Sequence, residues 1–367
     1  MNLSSLPETK LTKAQKRALD NISSYAKKRQ VDAQEEIDHV LRMTNIAPKH
    51  FQDALHQIQT HARIGLHFHP DRPGPDGKTV AEGLLEDGVY KSQFETLLSN
   101  GSVSAFPGGH RDLWEQKIFF DAYHVDGADN TERPKYGSLD LMRHPDGPSP
   151  RFGCCYVLLK PSVSHRCTFT YLDSHTNPLQ KGTLEVFEDI LASLLNDALH
   201  NEFAIGERNL TVGKLMDHLR NHLHKPISDL TTSKANRNLN HYIEAQVHGD
   251  ILLGRDAEML VADPSFRDTR IGQILKQLAD TYALQLHWHM GFSLSIEKVP
   301  DNFRGPTMPS LARRIASDGV LNVRHIGTAA QELAQNPQKW ADRGTYKEVL
   351  QELKLLWHVL VKCGYPY

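Results

Sequence analysis

Apolar positions first recur at helical spacing, with Ala14, Ala18, Leu19, Ile22 and Tyr25 on one stripe and Thr12 followed by Gln15 as a capping box. Residues 10–60 are therefore expected to be helical. From Ile64 the period shortens to two, as Ile64, Leu66 and Phe68 alternate with Gly65, His67 and His69 before a run rich in proline and glycine breaks the chain. Residues 126–151 are rich in turn formers, with Arg133-Pro134-Lys135-Tyr136-Gly137-Ser138 at the centre. Residues 152–160 and 167–171 then read as two strands joined in a hairpin. Helical spacing returns over 183–200 with Thr183 as cap, over 211–224, within 263–284, and over 345–362, where Thr345 and Glu348 form a capping box. The last of these helices is expected to pack on the body rather than to do chemistry. Residues 286–290 alternate as a further strand.

The most informative alternation is at 242–248. Ile243, Ala245 and Val247 share one face, while Tyr242, Glu244, Gln246 and His248 share the other. A carboxylate on such a face can stabilise developing positive charge or take part in proton transfer, with Gln and His fixing its rotamer. The plainer reading is a polar strand face in solvent.

Composition narrows the classes. The chain has 367 residues, 42 basic against 44 acidic and a net charge of -2, which removes the footprint of a dedicated nucleic-acid binder. The four cysteines, at 154, 155, 167 and 363, make neither a disulfide framework nor paired CxxC, and read as reduced buried thiols. No apolar run is long enough to span a membrane and the amino terminus has no signal-like apolar segment, so a cytoplasmic product without membrane partners is expected. Delivery into a host or competitor cell as an effector, without a cleaved signal peptide, is compatible with that.

Three further groups carry candidate chemistry. His67 and His69 on alternate positions, followed by Asp71, match the start of a metal site, with His248 or His289 to complete it. Arg72 next to them argues instead for an anion clamp, and His287 with His289 forms a second alternating pair. Arg133, Lys135, Tyr136 and Gly137 could hold a pyrophosphate and stack a ring. The usual dinucleotide, P-loop, zincin and hydrolase-elbow signatures are absent.

Taken in order, HFHPDR, GVYKSQFET with SNG, PGGHRDLWE, RPKYGSLDL, PRFGCCYVLLKP, HRCTFTYLDS, YIEAQVHG and VADPSFR resemble a family of little-characterised bacterial and fungal proteins similar to mono-ADP-ribosyltransferases, among them bacterial effectors. The resemblance covers residues 61–270. It implies an α+β fold, a split and strongly bent β-sandwich binding NAD between two small sheets; outside it lie the helical preface and the carboxy-terminal helical pattern, so the expected division is a helical region at 1–60, a catalytic domain at 61–300 and a helical region at 301–367. It also implies cleavage of the nicotinamide–ribose bond and transfer of ADP-ribose to a protein side chain, arginine foremost, with NAD as substrate and no metal.

By the same resemblance Glu244 is the catalytic carboxylate, flanked by Gln246 and His248. His69 and Arg72 would hold the ribose or a phosphate. Tyr90, Gln93 and Glu95 would line the NAD site together with Arg133, Tyr136 and Gly137, and Glu95 is a rival for the essential acid. Thr170, Thr168, Ser174 or Ser99 would supply the hydroxyl that supports the glutamate. Arginine-specific members carry Gln or Glu two residues before the catalytic Glu, whereas here Glu244 precedes Gln246. A metal-dependent hydrolase on His67, His69 and Asp71, and a non-catalytic NAD-binding module, are the alternatives.

Overall fold

Eight strands form one mixed sheet in a computed structural model that describes residues 9–97, 105–125, 127–226 and 234–367. In chain order they are β1 (Arg63–Phe68), β2 (Lys135–Asp140), β3 (Cys155–Leu159), β4 (Cys167–Tyr171), β5 (Lys181–Thr183), β6 (Ile243–Val247), β7 (Ala257–Ala262) and β8 (Gln285–Trp288). The spatial order is β8-β7-β3-β1-β2-β6-β4-β5. Only β7 and β8 run parallel, and the helix Arg270–Thr281 makes the crossover that a parallel pair requires. The α+β class stands in this form, a large mixed sheet covered by helices.

The sheet changes character along β1. Its first residues pair with β2, from Arg63↔Asp140 to Gly65↔Ser138, while Gly65 to Phe68 pair with β3, from Gly65↔Leu158 to Phe68↔Cys155. Leu66, His67 and Phe68 have no partners on β2, whose Lys135, Tyr136 and Gly137 pair with β6 instead. The two strands therefore part beyond Gly65, and a V opens inside the sheet. Close approach at its apex demands glycine. A Cβ on Gly137 would stand 2.8 Å from the Gly65 carbonyl oxygen, and one on Gly65 would stand 2.9 Å from Pro148 Cδ.

Helices cover both faces. The helix α1 (Lys13–Met43) opens with the expected Thr12–Gln15 capping box and buries Ile22, Ile37 and Val40 completely. Each such side chain contributes about 1.5–3 kcal/mol by leaving water. Its first half joins Ile118, Phe119, Ala122 and Tyr123 in a small satellite cluster, and its second half enters the main core. That main core runs from Ala33 to Val361, so the amino-terminal, central and carboxy-terminal regions share one apolar interior. The carboxy-terminal helix α2 (Tyr346–Cys363) has the expected Thr345–Glu348 capping box. Among the described residues no helix is long and apolar enough to cross a membrane.

Three expectations are corrected. Residues 155–159 and 167–171 are strands, but they lie four places apart in the sheet and form no hairpin; β4 turns instead into β5. Strand pairing is set by distant partners that local alternation does not encode. Thr183 ends β5, and the helix after it begins at Glu188 without a side-chain cap. The segment 133–138 is mostly strand rather than turn, because Lys135–Asp140 is clasped between β1 and β6.

Candidate active site

A cleft of about 580 Å³ fills the V between β1 and β2, a size suited to a small-molecule ligand. His67 and Phe68 line one flank, Tyr136 and Gly137 the other, and Glu244 lies at its floor.

Register explains the floor. Antiparallel neighbours directly opposite one another point to the same face, which aligns Ser138, Glu244 and Thr170 in one row and Tyr136, Gln246 and Thr168 in the next. This polar face is buried rather than solvated: Glu244 is 6% exposed and Gln246 and His248 are 0% exposed. Buried polar groups need partners, and here they form a chain. Thr168 O–H donates to Gln246 Oε1 (2.8 Å), so the Thr168 oxygen must accept from His248 Nε2–H (3.1 Å), and His248 Nδ1 accepts from Tyr123 O–H (2.5 Å). The Gln246 amide nitrogen donates to Glu244 Oε1 (2.9 Å) and Thr170 Oγ1 (3.3 Å), and Thr170 O–H donates to the Leu172 carbonyl (3.0 Å). One tautomer of His248 satisfies the chain. Burial drives its pKa down to about 3, which keeps the ring neutral.

Glu244 is thereby held from behind while its other oxygen faces the cleft. Ser174 N–H approaches that Oε2 only at 3.5 Å, long for a hydrogen bond. Burial, reinforced by the charge of Asp173, raises the Glu244 carboxyl to about 7. Asp173 itself is depressed: burial opposes its ionisation, but hydrogen bonds from His175 Nδ1 (2.8 Å) and Tyr242 O–H (2.9 Å) overcome it. Two neighbouring carboxyls thus have divergent proton affinities, an arrangement suited to one fixed anion and one exchangeable proton.

The side of the cleft is built differently. Arg111, 8% exposed, lies over the rings of Trp114 (4.6 Å) and Tyr136 (4.4 Å). Among the described residues its Nε and Nη1 have no hydrogen-bond partner, and neither do Trp114 Nε1 and Gln93 Oε1 nearby on the same wall. Tyr136 O–H is anchored on Glu115 (2.8 Å). Unpaired donors such as those of Arg111 and Trp114 on a cleft wall are what a bound anion or carbonyl oxygen would satisfy, and the Gln93 oxygen would accept from a ligand donor.

The expected site residues divide accordingly. Glu244, His69, Arg72, Tyr90, Gln93, Glu95, Tyr136 and Gly137 all line the cleft. Gln246, His248 and Thr170 do not; they sit behind Glu244, so a direct contact of theirs with ligand is corrected, while Gln246 bonds Glu244 and Thr170 bonds Gln246, in keeping with the expected support of the carboxylate. Arg133 is also corrected. It is spent on Asp112 (2.5 Å) and Glu115 (3.0 Å), with its guanidinium over the Phe94 ring, and does not reach the cleft. Glu95 accepts the Ser92 N–H (2.7 Å) as half of a capping box, whereas Glu244 has no such local duty. Ser99 lies outside the described residues.

The metal alternative loses its ligands. His67 Nδ1 donates to the Gly153 carbonyl (2.9 Å) and its Nε2 accepts Ser149 N–H (3.2 Å), so both ring nitrogens are in use. Asp71 packs instead against Gly327, whose Cβ it would exclude, and His289 is bound to the Cys154 carbonyl and Gly291 N–H (both 2.9 Å). Among the described residues no group of three His, Cys, Asp or Glu converges as a metal site.

Arg111, Trp114 and Asp173 escaped the reading of the sequence. The first two offered a local sign, a cation and an indole at i and i+3 in the helix His110–Ile118. Asp173 was visible only as a turn former. Residues 63–363 match the family DUF3626, described as a protein of unknown function, and the chain belongs to that family. No curated protein matches the chain.

Proposed function

We propose that the cleft binds NAD and that the protein transfers ADP-ribose from it to a protein side chain. The single observation that carries this reading is Glu244, a lone-facing carboxylate clamped by Gln246 at the floor of a split sheet, in a cleft also lined by Arg111, whose Nε and Nη1 have no partner among the described residues. The split in the sheet also supports the finer expectation of a transferase-like β-sandwich.

The chemistry follows from those groups. The C–N bond between ribose and nicotinamide breaks with its electron pair going to the ring, which leaves neutral, and positive charge develops at the ribose carbon. An adjacent carboxylate stabilises that charge. Binding of the cationic nicotinamide ring beside Glu244 would also favour its ionised form, offsetting the burial that holds its carboxyl at about 7. The acceptor's nucleophile then bonds to the ribose carbon and gives up a proton, which Glu244 is placed by proton affinity to receive. Tyr136 and Trp114 offer flat faces to a ring, and Arg111 offers donors to an oxygen of the ligand.

Incubation with biotinylated NAD and a cell lysate tests the proposal. Nicotinamide release together with labelling of protein is the expected result, lost in Glu244→Gln. A folded wild-type chain that releases no nicotinamide would overturn it.

A further inference from the structure

The geometry points to an anion subsite on the cleft wall beside Asp173, where Lys354, Arg151 and Arg72 take the phosphate groups of a nucleotide. This rests on the nucleotide reading above and assigns the carboxy-terminal helix a part in it. Lys354 projects from α2 into the cleft wall and makes no hydrogen bond or ion pair among the described residues. Arg151 on the same wall keeps its Nε buried without a partner among the described residues, while its Nη1 meets Asn240 Oδ1 (3.2 Å) and the Leu239 carbonyl (3.4 Å) and stands 3.8 Å from Asp173 Oδ2. Arg304 lies behind, with its own Nε unpartnered.

Lys354, Arg151 and Arg72 outnumber the two carboxyls beside them, Asp173 near Arg151 and Asp71 next to Arg72. The acid acting on Lys354 is Asp173, whose oxygens are already engaged by His175 and Tyr242. Burial, and then the charges of Arg151, Arg72 and Arg304, lower the Lys354 ammonium to about 8. Crowded cations of this kind are relieved by a ligand that brings negative charge and several acceptor oxygens, as a diphosphate does. Asp173 also acts on Glu244, so the phosphates would sit across it from the reacting ribose.

Calorimetric titration of the full chain with ADP and with inorganic pyrophosphate, at fixed ionic strength, tests this. ADP should bind more tightly than pyrophosphate, and Lys354→Met should weaken ADP by about tenfold or more, the worth of a charged hydrogen bond. Lys354→Arg should restore most of the affinity, and matched melting curves would show that the variants fold. Undetectable ADP binding, equal affinity for both ligands, or an unchanged affinity in Lys354→Met would overturn the subsite. The two readings fail separately: ADP affinity that depends on Lys354 without nicotinamide release sinks the transferase alone. Nicotinamide release with the KM for NAD unchanged in Lys354→Met sinks the subsite alone.

Discussion

The floor and the side wall of the cleft are both buried and both polar, yet they are finished in opposite ways. On the floor, from Tyr123 through His248, Thr168 and Gln246 to Glu244, each donor meets an acceptor within the chain. On the wall, Arg111 Nε and Nη1 and Trp114 Nε1 meet none among the described residues. A closed network fixes geometry, because every member has one orientation that satisfies its neighbours. An open one stores interaction for something that arrives later. The comparison teaches that burial alone does not mark a functional group; the direction of its unmet hydrogen bonds does.

The contrast breaks first at Glu244. Glu244→Gln keeps the shape and the Gln246 hydrogen bond but removes the charge, and should lower nicotinamide release by about 100- to 1000-fold, the scale of losing one transition-state electrostatic partner. An unchanged rate would move the chemistry elsewhere, with Glu95 the nearest rival. The same variant should be more stable than the wild type above neutrality. A carboxyl raised by folding to about 7 makes the folded form hold its proton longer, so wild-type stability falls as pH rises from the ordinary carboxylate range through about 7. The amide escapes that loss. Urea unfolding at pH 4 and pH 8 should show the variant's advantage growing by up to about 3 kcal/mol.

Arg111→Leu probes the open wall. It removes two unsatisfied N–H donors together with the stacking on Trp114 and Tyr136, and should lower the melting temperature only slightly while weakening NAD by about tenfold or more in titration. A drop in stability with unaltered affinity would reassign Arg111 to the scaffold. Thr168→Val probes the closed floor with a smaller effect, since it strands Gln246 Oε1 and His248 Nε2–H. A stability loss of about 1–2 kcal/mol is expected in denaturant unfolding, with turnover falling more than the KM for NAD rises. Equal stability would mean that the chain from Tyr123 to Glu244 carries no load.

Local chemistry was legible in the sequence and distant chemistry was not. The capping boxes at Thr12–Gln15 and Thr345–Glu348 are decided within four residues, and both are present. The alternation that put Glu244, Gln246 and His248 on one face was equally local, and the register bears it out. What covers that face was not readable, because Tyr123 and the amino-terminal helix that close over His248 lie more than a hundred residues away. Thus three residues that share a face have two different fates, one in the cleft and two behind it. Arg133 failed for the same reason. Its attraction to phosphate was argued from composition, and its true partners, Asp112 and Glu115, belong to a helix whose docking the sequence does not announce. Lys354 was passed over because an amphipathic helix explains itself by packing, and one cation at the edge of its stripe carries no local sign of a cleft.

The change of partners along β1 also has a mechanical meaning. Two wings of one sheet, β8-β7-β3 and β2-β6-β4-β5, are joined through three ladder positions, Arg63 to Gly65, and diverge from there. Groups from both wings face the gap, His67 and Phe68 from one side and Tyr136 and Glu244 from the other. Whatever fills it acts as a clasp across a hinge, so occupancy should stiffen the joint and slow amide exchange at Leu66 and Gly137 before any bond is broken.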